Sequence, residues 1–398
     1  MPAYACRPDV SFACVMWLAE AIMTAQVRKR KRRVLTAGAD CVGLHGMALA
    51  FEQLGVEVEV LFVSENNPSA QRLLEENFYF GELYTDVTAR NHRGSPQVDV
   101  YTAGFPCVSY STLGLRRGVH CAEGHVGLHC LCYVAERKPR CFLFENVSNL
   151  VSQRHWADFE MMLRNLRAIQ EKRFDMSCVL GPMCVRQDDA GQPYYHIQYK
   201  VLNSLQYGVA QSRPRVYIVG IHRPVRDMWW PVQQGQVDLE ETLDEWTPNE
   251  PLLPTSATEL RNLLMCMEKL RSWGMDLWSS AIGDLGNGWS RTSEQAAVTL
   301  GHAPCLTRSR CSGNGYWIFS RQRRPTLAEY FRWQGIPPDR LIIPENVSEN
   351  QVRAMIGNSF TVPVVAAILD RLLWAAGLID APCAFDEMEG EAADGYYC

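Results

Sequence analysis

The sequence predicts an α/β fold with a mainly parallel, Rossmann-like central sheet and a small lobe inserted before the last elements. Two patterns carry that expectation. Apolar runs of strand length, at residues 33–38, 58–64, 98–103, 141–147 and 216–220, alternate with stretches whose apolar residues recur at helical spacing. Between His222 and Thr307 this rhythm breaks into a segment rich in tryptophan and proline.

Residues 33–38 read as a strand followed by a turn at Gly38. Gly43, Gly46 and the apolar pattern Leu44, Met47, Ala48, Phe51 and Leu54 read as the next helix, a nucleotide-type βαβ opening. Glu65 follows the run 58–64 and lies 22 residues past Gly43, about where such sites place an acid on ribose hydroxyls. Residues 98–103 read as a buried strand that ends at Gly104-Phe-Pro-Cys107. A cysteine there, before a loop punctuated by Gly114 and Gly118, sits in the crevice where open α/β sheets bind ligands, and its thiolate is a strong nucleophile.

Cys121, His125, His129, Cys130 and Cys132 could suggest a metal, but they crowd onto one helix instead of forming separated ligand pairs. That helix is expected to pack on the sheet through Leu128, Leu131, Val134 and Ala135, with no metal. Residues 141–147 form a second apolar run containing Glu145. Gln211-Ser-Arg-Pro-Arg215 opens a third, with Arg213 and Arg215 two apart and on one face of an extended segment. From His222 to Thr307 the tryptophans read as the core of the lobe, with base stacking as the alternative, and Gly286-Asn-Gly288 reads as a tight turn. Residues 352–373 are expected to complete the sheet domain.

Pro106-Cys107, Glu145-Asn-Val147, Gln211-Ser-Arg-Pro-Arg215 and Gly357-Asn358, in this order, resemble the motif set of the cytosine-5 DNA methyltransferases. Residues 324–337 match the family's segment before the last motif, and the resemblance spans roughly residues 33–375. It implies a Rossmann-like methyltransferase that moves a methyl group from S-adenosyl-L-methionine to carbon 5 of cytosine.

The chemistry accounts for the residue types. Carbon 5 of cytosine is a poor nucleophile, so a thiolate, here Cys107, first adds to carbon 6 and turns the ring into an enamine-like nucleophile. Glu145 would then hydrogen-bond or protonate ring N3, and Arg215, assisted by Arg213, would stabilise the ring oxygen. Carbon 6 is hidden in a duplex, so the base must be flipped. The resemblance further implies a cofactor site of Gly38, Glu65, Asn66, Asp86, Val87, Pro106, Asn358 and Ser359. The family's Phe-x-Gly-x-Gly-Gly is here Thr36-Ala-Gly-Ala-Asp-Cys41, with threonine where an aromatic is usual. A tRNA cytosine-5 methyltransferase and a silent nucleic-acid-binding paralogue are the alternatives.

With 47% hydrophobic and 21% charged residues over 398 positions, the composition suits one sizeable core plus a smaller lobe. No stretch is long and apolar enough to span a membrane, and residues 11–25, interrupted by Glu20, read as an amphipathic helix and not as a secretion signal. The 15 cysteines form no regular framework and are expected to stay reduced. Net charge is −5, yet positive charge clusters at Arg28-Lys-Arg-Lys-Arg-Arg33, which reads as a nuclear import signal; without it the address would be cytoplasmic. The expected division is 1–32, an N-terminal helix and basic segment; 33–221, catalytic and cofactor-binding; 222–307, target recognition; 308–376, completion of the catalytic domain; and 377–398, an acidic disordered tail. DNA is the expected partner, bound by a monomer.

Overall fold

The computed structural model describes residues 34–106, 122–169, 193–245, 253–254 and 256–382. Cys107, Gly114, Gly118, Cys121, the amphipathic stretch 11–25, the basic run 28–33 and the acidic tail lie outside the described residues. The architecture below belongs to the unit that begins at Leu35.

Seven strands form the main sheet: β1 (Leu35–Asp40), β2 (Val58–Ser64), β3 (Glu82–Tyr84), β4 (Val100–Ala103), β5 (Cys141–Val147), β6 (Tyr195–Asn203) and β7 (Pro214–His222). Their order is β3-β2-β1-β4-β5-β7-β6. The first five run parallel, and β7 enters antiparallel between β5 and β6. Strand order reverses between β1 and β4, which makes their carboxyl ends the ligand crevice of this topology.

The strands read as continuous apolar runs because both faces of the sheet are covered. Along β5, Cys141 and Leu143 join one core with Ala37 and Val100, while Phe142 and Phe144 join another with Tyr101. Helices α1 (Gly46–Leu54), α2 (Pro68–Asn77), α8 (Glu349–Asn358) and α9 (Val362–Ala375) supply the first core, and α3 (Ala122–Arg137) and α4 (Trp156–Arg167) the second. As expected, Leu128, Leu131, Val134 and Ala135 of α3 are buried.

Three sequence expectations change. Gly38 is not a turn but lies inside β1, at a register shift against β2, where an added Cβ would come within 2.2 Å of the Phe62 ring. The turn falls later, with Cys41, Gly43 and His45 at φ 56, 53 and 57°. Residues 352–373 are helical in α8 and α9, with a proline in the first turn of α9, and β6 supplies the outer strand instead.

The third change concerns the lobe. A second sheet, ordered β10-β8-β9, consists of β8 (Ala281–Asp284), β9 (Val298–Leu300) and β10 (Tyr316–Ile318), so its third strand comes from beyond residue 307. Helix α5 (Ala257–Ser272) packs on it through Leu263, Cys266 and Leu270. Among the described residues, the tryptophan buried in the lobe is Trp317, whereas Trp229, Trp273, Trp278 and Trp289 are exposed. A short helix, α6 (Arg308–Ser312), lies between β9 and β10, and another, α7 (Leu327–Trp333), follows β10 and is opened by a Thr326–Glu329 capping box.

Candidate active site

Glu145 lies in β5, two residues from its carboxyl end, and β7 runs back beside it with Arg215 opposite Val147. Antiparallel pairing thereby brings Arg215 Nε to 3.1 Å from Glu145 Oε1, with both side chains 10% exposed. On its other side the Arg215 guanidinium meets Cys305 Sγ, with Nη1 and Nη2 each at 3.6 Å. Burial pushes the Cys305 thiol up, but Arg215, and after it Arg213, outweigh that and hold it below its usual value. A carboxylate, a guanidinium and a thiol thus share one partly buried corner.

The neighbouring Asn146 ties this corner to Phe105. Its side-chain amide donates to the Phe105 carbonyl at 3.2 Å, and its oxygen accepts from the Val147 amide. Pro106 follows, half-buried, as the last described residue before Cys107. Gly104 donates its amide to the Asp40 carbonyl. An added Cβ at Gly104 or Gly46 would collide with Phe360 at 2.6 or 2.8 Å, so both glycines allow that ring to lie between β4 and α1.

Arg213 does not join Arg215 at the carboxylate. Its Nη1 donates to the carbonyls of Leu306 and Gly357 at 2.6 and 3.3 Å, and its Nη2 to that of Ser359 at 3.0 Å. It therefore clamps the Cys305 segment to the Gly-Asn-Ser turn. Gln211 works alongside: it accepts from the Leu306 amide and donates to the Trp333 carbonyl and to Gln334. Gly357 has no room for a side chain, since a Cβ would lie 2.5 Å from the Thr307 carbonyl carbon.

At the cofactor edge Glu65 spends one oxygen on the Gly43 amide at 2.8 Å and the other on the Asn67 amide at 3.0 Å. It thereby shapes the turn after β1. Asn66 is exposed, Asp86 is exposed with Oδ1 accepting from the Thr88 hydroxyl and amide, and Val87 is buried. The Thr88 hydrogen bonds hold the Asp86 carboxyl below its usual range. Asn358 is exposed, while the buried Ser359 hydroxyl donates to the Ile356 carbonyl.

These residues fit S-adenosylmethionine. Two carboxylates suit a ribose diol and an amino group, and a Cβ at Gly43 would meet nothing within 4 Å, so the main chain there borders open space. Gly38 is the exception, being enclosed in the sheet. Among the described residues no group of three or more His, Cys, Asp or Glu side chains could hold a metal ion.

Sequence reasoning missed Cys305, Asn146, Phe360 and the buried Asp40–Arg90 pair behind the turn. Asn146 lay within a motif already singled out, and Pro304-Cys305 repeats the Pro106-Cys107 dipeptide, so both had a signal. Arg90 and Phe360 had none, since their partners are remote in the chain.

A family model described as C-5 cytosine-specific DNA methylase matches residues 41–177 and 179–374. Among curated proteins, the Type II methyltransferase M.NgoBI of Neisseria gonorrhoeae is 29% identical over 82% of this chain and 89% of its own length. M.HaeII of Haemophilus aegyptius is 27% identical over 83% and 90%. Among solved structures, the Dnmt2 methyltransferase of S. pombe superposes with a TM-score of 0.54 at 15% identity, over 86% of this chain and 98% of the other. A putative DNA modification methyltransferase from an E. coli prophage gives 0.55 at 16% identity, over 85% and 98%.

Proposed function

The chain belongs to the C-5 cytosine-specific DNA methylase family, and we propose on that footing that Glu145 and Arg215 are its base-activating pair. It is a DNA (cytosine-5-)-methyltransferase that uses S-adenosylmethionine and a covalent cysteine intermediate. When bound, the cofactor supplies an electrophilic methyl group. Glu65 and Asp86 would hold it by its hydroxyl and amino groups.

The observation that carries the proposal is the 3.1 Å contact of Glu145 with an Arg215 that also faces Cys305. A guanidinium held between a carboxylate and a thiol is fixed in place beside Glu145 and would offer its donors to a developing negative charge on the ring oxygen. Glu145, beside it, would meet ring N3. Cys107, two residues after the Phe105 that Asn146 anchors, is the proposed nucleophile.

We further infer that the substrate is duplex DNA, entered by base flipping, that the protein acts as a monomer, and that the basic run at 28–33 directs it to the nucleus. Labelled S-adenosylmethionine offered with duplex DNA and with tRNA in parallel tests the first of these. Transfer to DNA is expected, and transfer to tRNA alone would overturn the duplex reading. Microscopy of a tagged chain with glutamines at 28–33 tests the last.

A further inference from the structure

Behind the turn that follows β1 lies an ion pair that no step of the methyl transfer uses. Asp40 and Arg90 have side chains with no exposed surface, and the guanidinium meets the carboxylate through two bonds of 2.6 Å. Ser64 Oγ donates to Asp40 Oδ1 at 2.6 Å and accepts from Arg90 Nη1 at 3.0 Å, and the Tyr101 hydroxyl donates to Asp40 Oδ2. The guanidinium carbon sits 4.9, 5.2 and 5.1 Å from the ring centroids of Phe62, Tyr84 and Tyr133. Asp40 stands in the run Thr36-Ala-Gly-Ala-Asp-Cys41, where glycine would have required no partner.

The attachments of this pair are what matter. Asp40 ends β1, three residues before Gly43, and Ser64 ends β2, directly before Glu65. Arg90 stands four residues after Asp86. The Asp40 carbonyl accepts from the Gly104 amide, two residues before Pro106. The segments next to Glu65 and Asp86 thus meet at the Asp40 carboxylate, and the Gly104 segment is held by the main-chain carbonyl of the same residue.

We propose that the Asp40–Arg90 pair is a positioning device that sets the β1 turn, the Glu65 and Asp86 segments and the Gly104 loop in mutual register for cofactor binding. It rests on the cofactor reading above. Removing two charges from water costs several kcal/mol per ion, and a well-packed apolar pair of similar volume is commonly as stable or more so. Stability alone therefore does not call for these residues, whereas bidentate geometry fixes distance and orientation between two segments in a way that apolar contact does not. Neither side chain reaches solvent, so the pair acts through the segments it holds.

The test compares the full chain with the double variant Asp40→Leu, Arg90→Met and with Tyr101→Phe. Three readouts are needed: melting temperature, calorimetric affinity for S-adenosylmethionine, and hydrogen exchange of the Gly43 and Gly104 amides without cofactor. The double variant leaves the buried Ser64 and Tyr101 hydroxyls without their acceptor, so it should melt below the wild type while still folding, bind the cofactor about tenfold more weakly, and exchange both amides faster. Tyr101→Phe, which removes one hydroxyl and leaves the ring, should weaken binding about twofold to fivefold, and it decides the matter if the double variant does not fold. Wild-type affinity with wild-type exchange in a folded variant would overturn the proposal. If the unaltered chain bound no S-adenosylmethionine, the cofactor reading would fall, while the exchange rates would still decide whether the pair positions these segments.

Discussion

The Asn146 side chain donates to the main-chain carbonyl of Phe105 at 3.2 Å, which ties the end of β5 to the Phe105-Pro106 segment that leads to Cys107 in sequence. Both residues are buried, so the bond is shielded from competing water. Asn146→Ala leaves the Phe105 carbonyl without this donor, at a cost of ~1–3 kcal/mol in stability. Misplacement of a nucleophile by an ångström can lower the rate about 100-fold. The variant should therefore lose kcat by one to two orders of magnitude, as a rough scale, while its affinity for S-adenosylmethionine barely changes. Steady-state kinetics beside calorimetry would check this, and an unchanged kcat would detach Asn146 from the loop's function.

Cys107→Ser should abolish turnover and spare cofactor affinity, because the serine hydroxyl is a far weaker nucleophile at neutral pH and differs little in volume. Duplex oligonucleotides carrying 5-fluorocytosine should form a stable adduct at Cys107, since fluorine cannot leave as the proton does. Peptide mapping that placed the adduct elsewhere would remove Cys107 from the mechanism.

How much of this was legible beforehand depended on whether a residue's partners were near it in the pattern. β1, β2, β4, β5 and β7 announced themselves as apolar runs because helices cover both faces of the sheet. β6 did not, because this edge strand is incompletely covered, its residues from His196 to Lys200 being exposed or half-buried. Glu145 and Arg215 were recognisable from motif order, and register then brought them together. Arg213 shared the motif but reaches carbonyls 93 to 146 residues away, which local spacing cannot indicate. The glycine-poor turn after β1 showed a loss without showing its replacement, since Arg90 lies 50 residues on from Asp40.

Glu65 offers a sharper test than a simple deletion. Each of its carboxylate oxygens accepts a main-chain amide, from Gly43 and from Asn67. Glu65→Ala should weaken S-adenosylmethionine binding by ~1.5–3 kcal/mol, the scale of hydrogen bonds to a charged group, and Asp86→Ala should weaken it less. Glu65→Gln would set an amide nitrogen against one of those two donors, so it should be nearly as damaging as alanine. Calorimetry in which glutamine restored full affinity would show that Glu65 does not organise the turn.

Cys305 carries a prediction in pH. Burial raises the thiols of Cys132, Cys266 and Cys311 to about 12, whereas the arginines beside Cys305 hold its thiol below the ordinary 9.0. The depressed value means that the folded state favours the thiolate, so this contact stabilises the fold fully above 9.0 and is lost as pH falls through the lowered value. Because the thiolate is the reactive form, iodoacetamide at pH 8 should label Cys305 before the other described cysteines, and Arg215→Met should slow that labelling by removing the nearest positive charge. Peptide mapping over time measures the order of modification. If Cys132 or Cys311 reacted first, or if Arg215→Met left the Cys305 rate unchanged, the guanidinium would not be stabilising a thiolate at this corner of the site.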